Sequence, residues 1–135
     1  MPLYHYCRKL ATMLFNEDKS EARYQIHAYD SRSVTIGTHC LTTSCIVFAD
    51  HLVTDVKPQT LNELTEMVLE PLFSKAPEIL IIGSGNYHQF LSNPLRYSLE
   101  TRNIGVECMT TPAACRSYTA LLAEARNVAA LLFLG

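Results

Sequence analysis

Apolar residues along the chain follow two spacings, and the switches between them mark out its elements. Tyr24–Tyr29 alternates, with Tyr24, Ile26 and Ala28 to one side and Gln25, His27 and Tyr29 to the other, which predicts a strand. Asp30-Ser31-Arg32-Ser33 reads as a turn, and Val34–Ile36 resumes the strand pattern up to Gly37. Thr43–Phe48 and Leu52–Val56 predict two more strands across Ala49-Asp50-His51. The first half is therefore read as antiparallel strands with brief turns.

Beyond Gln59 the period lengthens. Thr60 with Glu63 three positions on has the form of a capping box, and Leu61, Leu64, Val68 and Leu72 follow at helical spacing. Pro71 lacks an N–H, so this helix is expected to bend or stop near Glu70. Ile79–Ile82 is a short apolar run ending at Gly83-Ser84-Gly85, the pattern of a central parallel strand. Asn93-Pro94 opens a helix to about Arg102 by cap and first-turn proline. Val106–Met109 then meets Thr111-Pro112, a second cap and proline. Ala114, Tyr118, Leu121, Leu122 and Ala125 form the stripe of a helix lying on a core, closed by Arg126 and Asn127. Val128–Leu134 is too short to span a bilayer and suits a strand buried on both faces.

From Ile79 to Leu134 the order is βαβαβ, and its short connections imply parallel crossovers. The expected fold class is α/β: a three-layer single domain over residues 24–135, with a mixed, largely parallel central sheet, helices, and an N-terminal antiparallel strand region. Residues 1–23 are expected to be a poorly ordered extension. Arg8-Lys9 before Leu10–Phe15 has a faint likeness to a signal peptide, but the apolar stretch is too short and Asn16-Glu17-Asp18-Lys19 follows directly. Translation can start at Met1 or at Met13.

Composition narrows the function classes. A formal net charge of −2, with no basic cluster larger than Arg8-Lys9, argues against nucleic-acid binding. The five cysteines form no CxxC and have no paired His spacing, so neither a disulfide framework nor a metal site is expected. A reducing, cytoplasmic location is the simpler reading, with no membrane insertion.

Three stretches carry a resemblance: YQIHAYD (Tyr24–Asp30), PEILIIGSG (Pro77–Gly85) and GVECMTTPAACRSYTALLAEARNVAALL (Gly105–Leu132). They resemble a widespread uncharacterised bacterial and archaeal domain family. Its eukaryotic relatives include a mitochondrial respiratory complex I assembly factor and an adipogenesis-associated protein. The likeness runs from about Arg23 to Gly135, and the AACRSY run beside the GSG strand end points to the bacterial branch. It implies a three-layer α/β fold and, since the eukaryotic member acts through protein partners, a binding or assembly role. Gly83, Gly85, Ala114, Cys115, Arg116 and Tyr118 match its motifs, but it supplies no catalytic role and no cofactor.

Two surfaces stand out as candidates. Gly83, Ser84 and Gly85 lie at the carboxyl end of a parallel strand, where open α/β sheets bind ligands, and Thr110-Thr111 begins a helix on the same edge. This edge is a candidate site for a small anionic ligand or an enzyme's substrate. Against that, His88 stands where a dinucleotide fingerprint needs its third glycine, a Walker lysine is absent, and Pro112 removes a helix donor. Glycines that simply permit a tight turn are the plainer explanation.

The second surface is the outer side of the last helix, where Pro112, Arg116, Thr119, Ala120 and Ala123 point away from the sheet. Small side chains and one arginine suit contact with a protein partner or a second copy, although alanine also fills surface helix positions cheaply. Cys115, beside Arg116, could be activated but is better read as a packed, inert thiol. Glu63, Glu66 and Glu70 suit a solvated face. His27, His39, His51 and His88 are scattered, and Tyr87-His88-Gln89-Phe90 tips a loop. No catalytic residue is assigned. The leading expectation is a non-enzymatic binding or assembly module.

Overall fold

The computed structural model describes residues 24–30 and 32–134. The expectations for residues 1–23, including the start codon, lie outside them. Among the described residues eight strands and three α-helices follow in order: β1 (Ile26–Tyr29), β2 (Val34–Ile36), β3 (His39–Leu41), β4 (Cys45–Phe48), β5 (Leu52–Val53), α1 (Glu70–Lys75), β6 (Ile79–Gly83), α2 (Asn93–Glu100), β7 (Gly105–Met109), α3 (Thr111–Ala123) and β8 (Val128–Leu132).

The strands form two sheets. β1-β2-β3 is antiparallel, and the larger sheet has the order β5-β4-β8-β6-β7. β6 runs parallel to both β7 and β8, whereas β4 is antiparallel to β8 and to β5. The central sheet is thus mixed, with parallel strands at one side and an antiparallel pair at the other.

Alternation along the strands divides the core in two. Ile46, Phe48, Leu80, Ile82, Val106, Ala129 and Leu131 face one layer, which also holds Leu61, Leu69, Leu72 and Leu99 from the helical segments. Cys45, Val47, Ile81, Ala130 and Leu132 face the other, with Ala114, Cys115 and Tyr118 of α3 and Val34 and Ile36 of β2. Every residue of β8 is buried, as its unbroken apolar run requires of a strand covered on both faces. The expected three-layer α/β architecture is present.

Several local expectations need correction. Residues 60–72 do not form one helix: two 3-10 turns, Leu61–Glu63 and Glu66–Leu69, are followed by the short α1. No capping box closes, because the Thr60 hydroxyl donates to Glu63 Oε1 instead of accepting from the helix. Leu64 and Thr65 are extended, which interrupts the spiral, and Pro71 sits in the first turn of α1, where its missing N–H costs nothing. Proline starts a helix here; it does not end one.

The strands expected over Thr43–Phe48 and Leu52–Val56 shorten to Cys45–Phe48 and Leu52–Val53, since Asp55 takes a left-handed backbone (φ 56°). β3 was not foreseen. Its hairpin turn is Gly37-Thr38, with Gly37 at φ 59°, a two-residue loop that glycine favours. α3 ends at Ala123, and the left-handed cap residue is Ala125 (φ 60°), not Asn127. Ala125 is therefore exposed and outside the buried stripe.

Candidate functional site

The carboxyl ends of β6 and β7 do share a rim: Gly83 is in register with Met109. At that rim the polar groups bond to one another. Thr111 Oγ1 accepts the Gly85 N–H at 2.8 Å and donates to Phe133 O at 2.7 Å. Thr111 N–H donates to Gly85 O at 2.9 Å, and Ala114 N–H turns back to Thr110 O at 2.8 Å. Ser84 Oγ lies 2.6 Å from Tyr87 O and 3.1 Å from Met109 O, and accepts the Gln89 N–H at 3.2 Å. With Pro112 contributing no donor, the first turn of α3 has few N–H groups left for an anion.

Gly83 has its own local reason. A Cβ there would stand 2.9 Å from both Cα and Oγ1 of Thr111 and 3.0 Å from the Ala114 Cβ. The glycine lets α3 lie directly on β6. Gly85, at φ 94°, supplies the turn that follows. Gly83, Ser84, Gly85, Thr110 and Thr111 are thus brought together as a lock between strand, loop and helix.

Cys115 is fully buried, and burial pushes its thiol up to about 12, against a smaller opposing pull from Arg116. Cys45, across the same core layer, is likewise pushed to about 12 by burial and then by Cys115. Such thiols stay protonated at neutral pH and are poor nucleophiles. Tyr118 is buried with its phenol pushed up by desolvation, and its hydroxyl donates to Tyr24 O at 3.0 Å. Among the described residues no group of three or more His, Cys, Asp or Glu is placed to hold a metal ion.

Arg116, Thr119, Ala120 and Ala123 all lie exposed on α3, while Pro112 is half-buried. The Arg116 Nη1 reaches Tyr29 Oη of β1 at 3.5 Å. Thr119 and Ala123 also border a cleft of about 860 Å3 that the sequence did not announce. The cleft lies at the opposite end of the strands from Gly83, between Phe48-Ala49-Asp50 at the end of β4, Ser74-Lys75 before β6 and Arg126-Asn127 before β8. Lys75 Nζ bonds to Asp50 Oδ1 at 2.9 Å and stands 5.8 Å above the Phe48 ring. That hydrogen bond holds the Asp50 carboxyl below its ordinary range. Arg126 pairs with Glu78 at 2.8 Å. These charges come from separate segments, so only the fold assembles them; in the sequence Asp50 reads as a turn residue and Arg126 as a helix end, and nothing links either to Lys75.

Glu63 bonds Gln59 and Thr60, and Glu66 bonds Ser98, so the acidic residues of this region act as local braces. No helix among the described residues is long and apolar enough to cross a membrane.

Comparison with known proteins is consistent with this architecture. NADH dehydrogenase (ubiquinone) 1 alpha subcomplex assembly factor 3 of Rattus norvegicus is 29% identical over 129 residues, 94% of this chain and 68% of that protein. Its Homo sapiens counterpart is 27% identical over 125 residues, 88% of this chain and 65% of that protein. The chain thus spans about two thirds of the length of these relatives. An NMR structure from Xanthomonas campestris is 30% identical, covers 87% of each chain and superposes with a TM-score of 0.76. A Bordetella pertussis protein described as an Mth938-like domain shares the fold at 22% identity, with a TM-score of 0.75 over 86% of this chain and 89% of that one. Residues 26–133 match the family described as "Protein of unknown function (DUF498/DUF598)", and the chain belongs to that family.

Proposed function

We propose that the chain is a non-enzymatic protein-binding module of assembly-factor type, working in the cytoplasm, with the outer face of α3 as its contact surface. One observation carries the reading: the exposed row Arg116, Thr119, Ala120 and Ala123 runs into the cleft beside it through Thr119 and Ala123. A partner's backbone can approach the small side chains closely while one of its own side chains enters the cleft, with Arg116 anchoring the rim. The rat and human relatives, named as assembly factors, support a role exercised through other proteins.

The alternative, a small anionic ligand or substrate at Gly83-Ser84-Gly85 and Thr110-Thr111, has less support, because the donors there are already bonded. Thermal melts with phosphate, nucleotides and carboxylates test it directly, and a rise in Tm would revive it.

The double substitution Arg116→Glu with Ala123→Glu tests the leading reading. It is expected to leave the far-UV circular dichroism and the melting temperature intact while abolishing association, measured by sedimentation with the partner or with a second copy. Unchanged complex mass would show that this face is only solvated.

A further inference from the structure

β7 is an open edge of the larger sheet and, at five residues, the longest edge strand among the described residues. Its peptide groups divide by parity. Gly105 N–H donates to Glu78 O and Met109 O accepts from Ser84 N–H, so Gly105, Glu107 and Met109 turn toward β6. Val106 and Cys108 therefore turn their N–H and C=O groups outward, where no described strand pairs with them.

Two side chains reach those outward carbonyls instead. With its proton on Nε2, His88 donates to Cys108 O at 3.1 Å, and Arg96 Nη1 donates to Val106 O at 3.4 Å. Both bonds come from side chains with access to water, and another donor can replace them at small cost.

The loop that carries His88 is braced from beneath by Ser84 Oγ, through Tyr87 O and the Gln89 N–H. It holds Phe90 79% exposed, edge-on to the His88 ring at 4.6 Å between centroids. An exposed aromatic ring beside the open side of β7 offers apolar area that a bound segment can cover.

We infer that β7 accepts an extended segment of a partner protein by strand addition. The segment's backbone replaces His88 and Arg96 at Cys108 and Val106, an apolar side chain packs on Phe90, and a basic side chain lies opposite Glu107. Side chains satisfy only the two carbonyls of this edge, whereas an extended backbone matches its alternating N–H and C=O groups together. Charge argues for a different protein over a second copy. The antiparallel register that uses Val106 and Cys108 of both copies sets each exposed Glu107 directly against its twin, a destabilising arrangement. This inference rests on the reading of the chain as a protein-binding module but uses a surface separate from α3.

The test selects peptides from a phage-displayed library of random dodecapeptides on the full chain, then titrates synthetic copies of the enriched peptides against the isotope-labelled protein by NMR. The Val106 and Cys108 amides are expected to shift and to gain protection from hydrogen exchange. Phe90→Ala and Glu107→Lys are each expected to weaken binding about tenfold, whereas Arg116→Glu with Ala123→Glu leaves it unchanged. The inference is overturned if no peptide is enriched, or if the enriched peptides perturb α3 and spare Val106 and Cys108. Protection of those two amides by concentrating the protein alone would assign the edge to a second copy and overturn it equally.

Discussion

Thr111 occupies the space that a side chain on Gly83 would need: a Cβ on Gly83 would lie 2.9 Å from the Thr111 Cα. The clash is with backbone, so no rotamer change relieves it. Gly83→Ala is expected to cost about 1–3 kcal/mol, the usual penalty of overpacking. Urea denaturation of the two proteins reads this directly, and an unchanged midpoint would mean that α3 can lift off β6 freely.

The same threonine is a junction for three segments. Thr111→Val removes the acceptor of the Gly85 N–H and the donor to Phe133 O in a buried position, so a loss of about 2 kcal/mol is expected. Thr111→Ser keeps both bonds and should recover most of that stability. If valine proved harmless, the lock at this rim would have no energetic weight.

Ala125 offers a gain. It holds φ at 60° in a Schellman-type cap, where Arg126 N–H donates to Leu121 O and Ala125 N–H to Leu122 O. An L side chain is strained there and glycine is not. Ala125→Gly should raise stability by about 0.5–1 kcal/mol, seen as a higher Tm, whereas Ala125→Val should lower it.

The buried thiols predict an alkaline limit. Burial pushes the Cys45 and Cys115 thiols from their ordinary value of about 9 up to about 12. Above pH 9 the unfolded state therefore holds fewer protons than the native one, and stability falls as pH rises from about 9 toward 12. Urea midpoints at pH 7, 9 and 10.5 should decline in that order, less steeply in Cys45→Ala. Alkylation at pH 7.5 should be slower at Cys115 than at a model-peptide thiol; a fast reaction there would reopen the nucleophile reading.

The Tyr118 hydroxyl ties α3 to the residue that leads into β1, through Tyr24 O at 3.0 Å. Tyr118→Phe keeps the ring packed and deletes the tie, so a cost of about 1 kcal/mol is expected, with the largest loss of hydrogen-exchange protection in β1.

What the sequence revealed, and what it hid, follows from how local each signal is. The second half was legible because β6, β7, α3 and β8 each carry one uninterrupted period, and Pro94 and Pro112 mark helix starts by local stereochemistry. Residues 60–72 misled because apolar groups three and four apart serve 3-10 turns as well as α-helix, and the break falls on backbone angles at Leu64 and Thr65. β3 was missed because His39-Cys40-Leu41 shows no alternation; Gly37-Thr38 was the available clue. Gly83 could be recognised as special without its reason, since the atom that crowds it belongs to Thr111, far along the chain. The cleft was invisible for a like cause: Asp50, Lys75 and Arg126 meet only after three strands have aligned.

β8 pairs with β4 on one side and β6 on the other, yet it follows both in the chain. During synthesis the hairpin strand β4 and the crossover strand β6 must each wait, half-sheeted, until β8 emerges to join them. The apolar flanks of both remain uncovered for that interval. It also means that an interruption within β8 takes away the shared partner of β4 and β6 instead of trimming an edge.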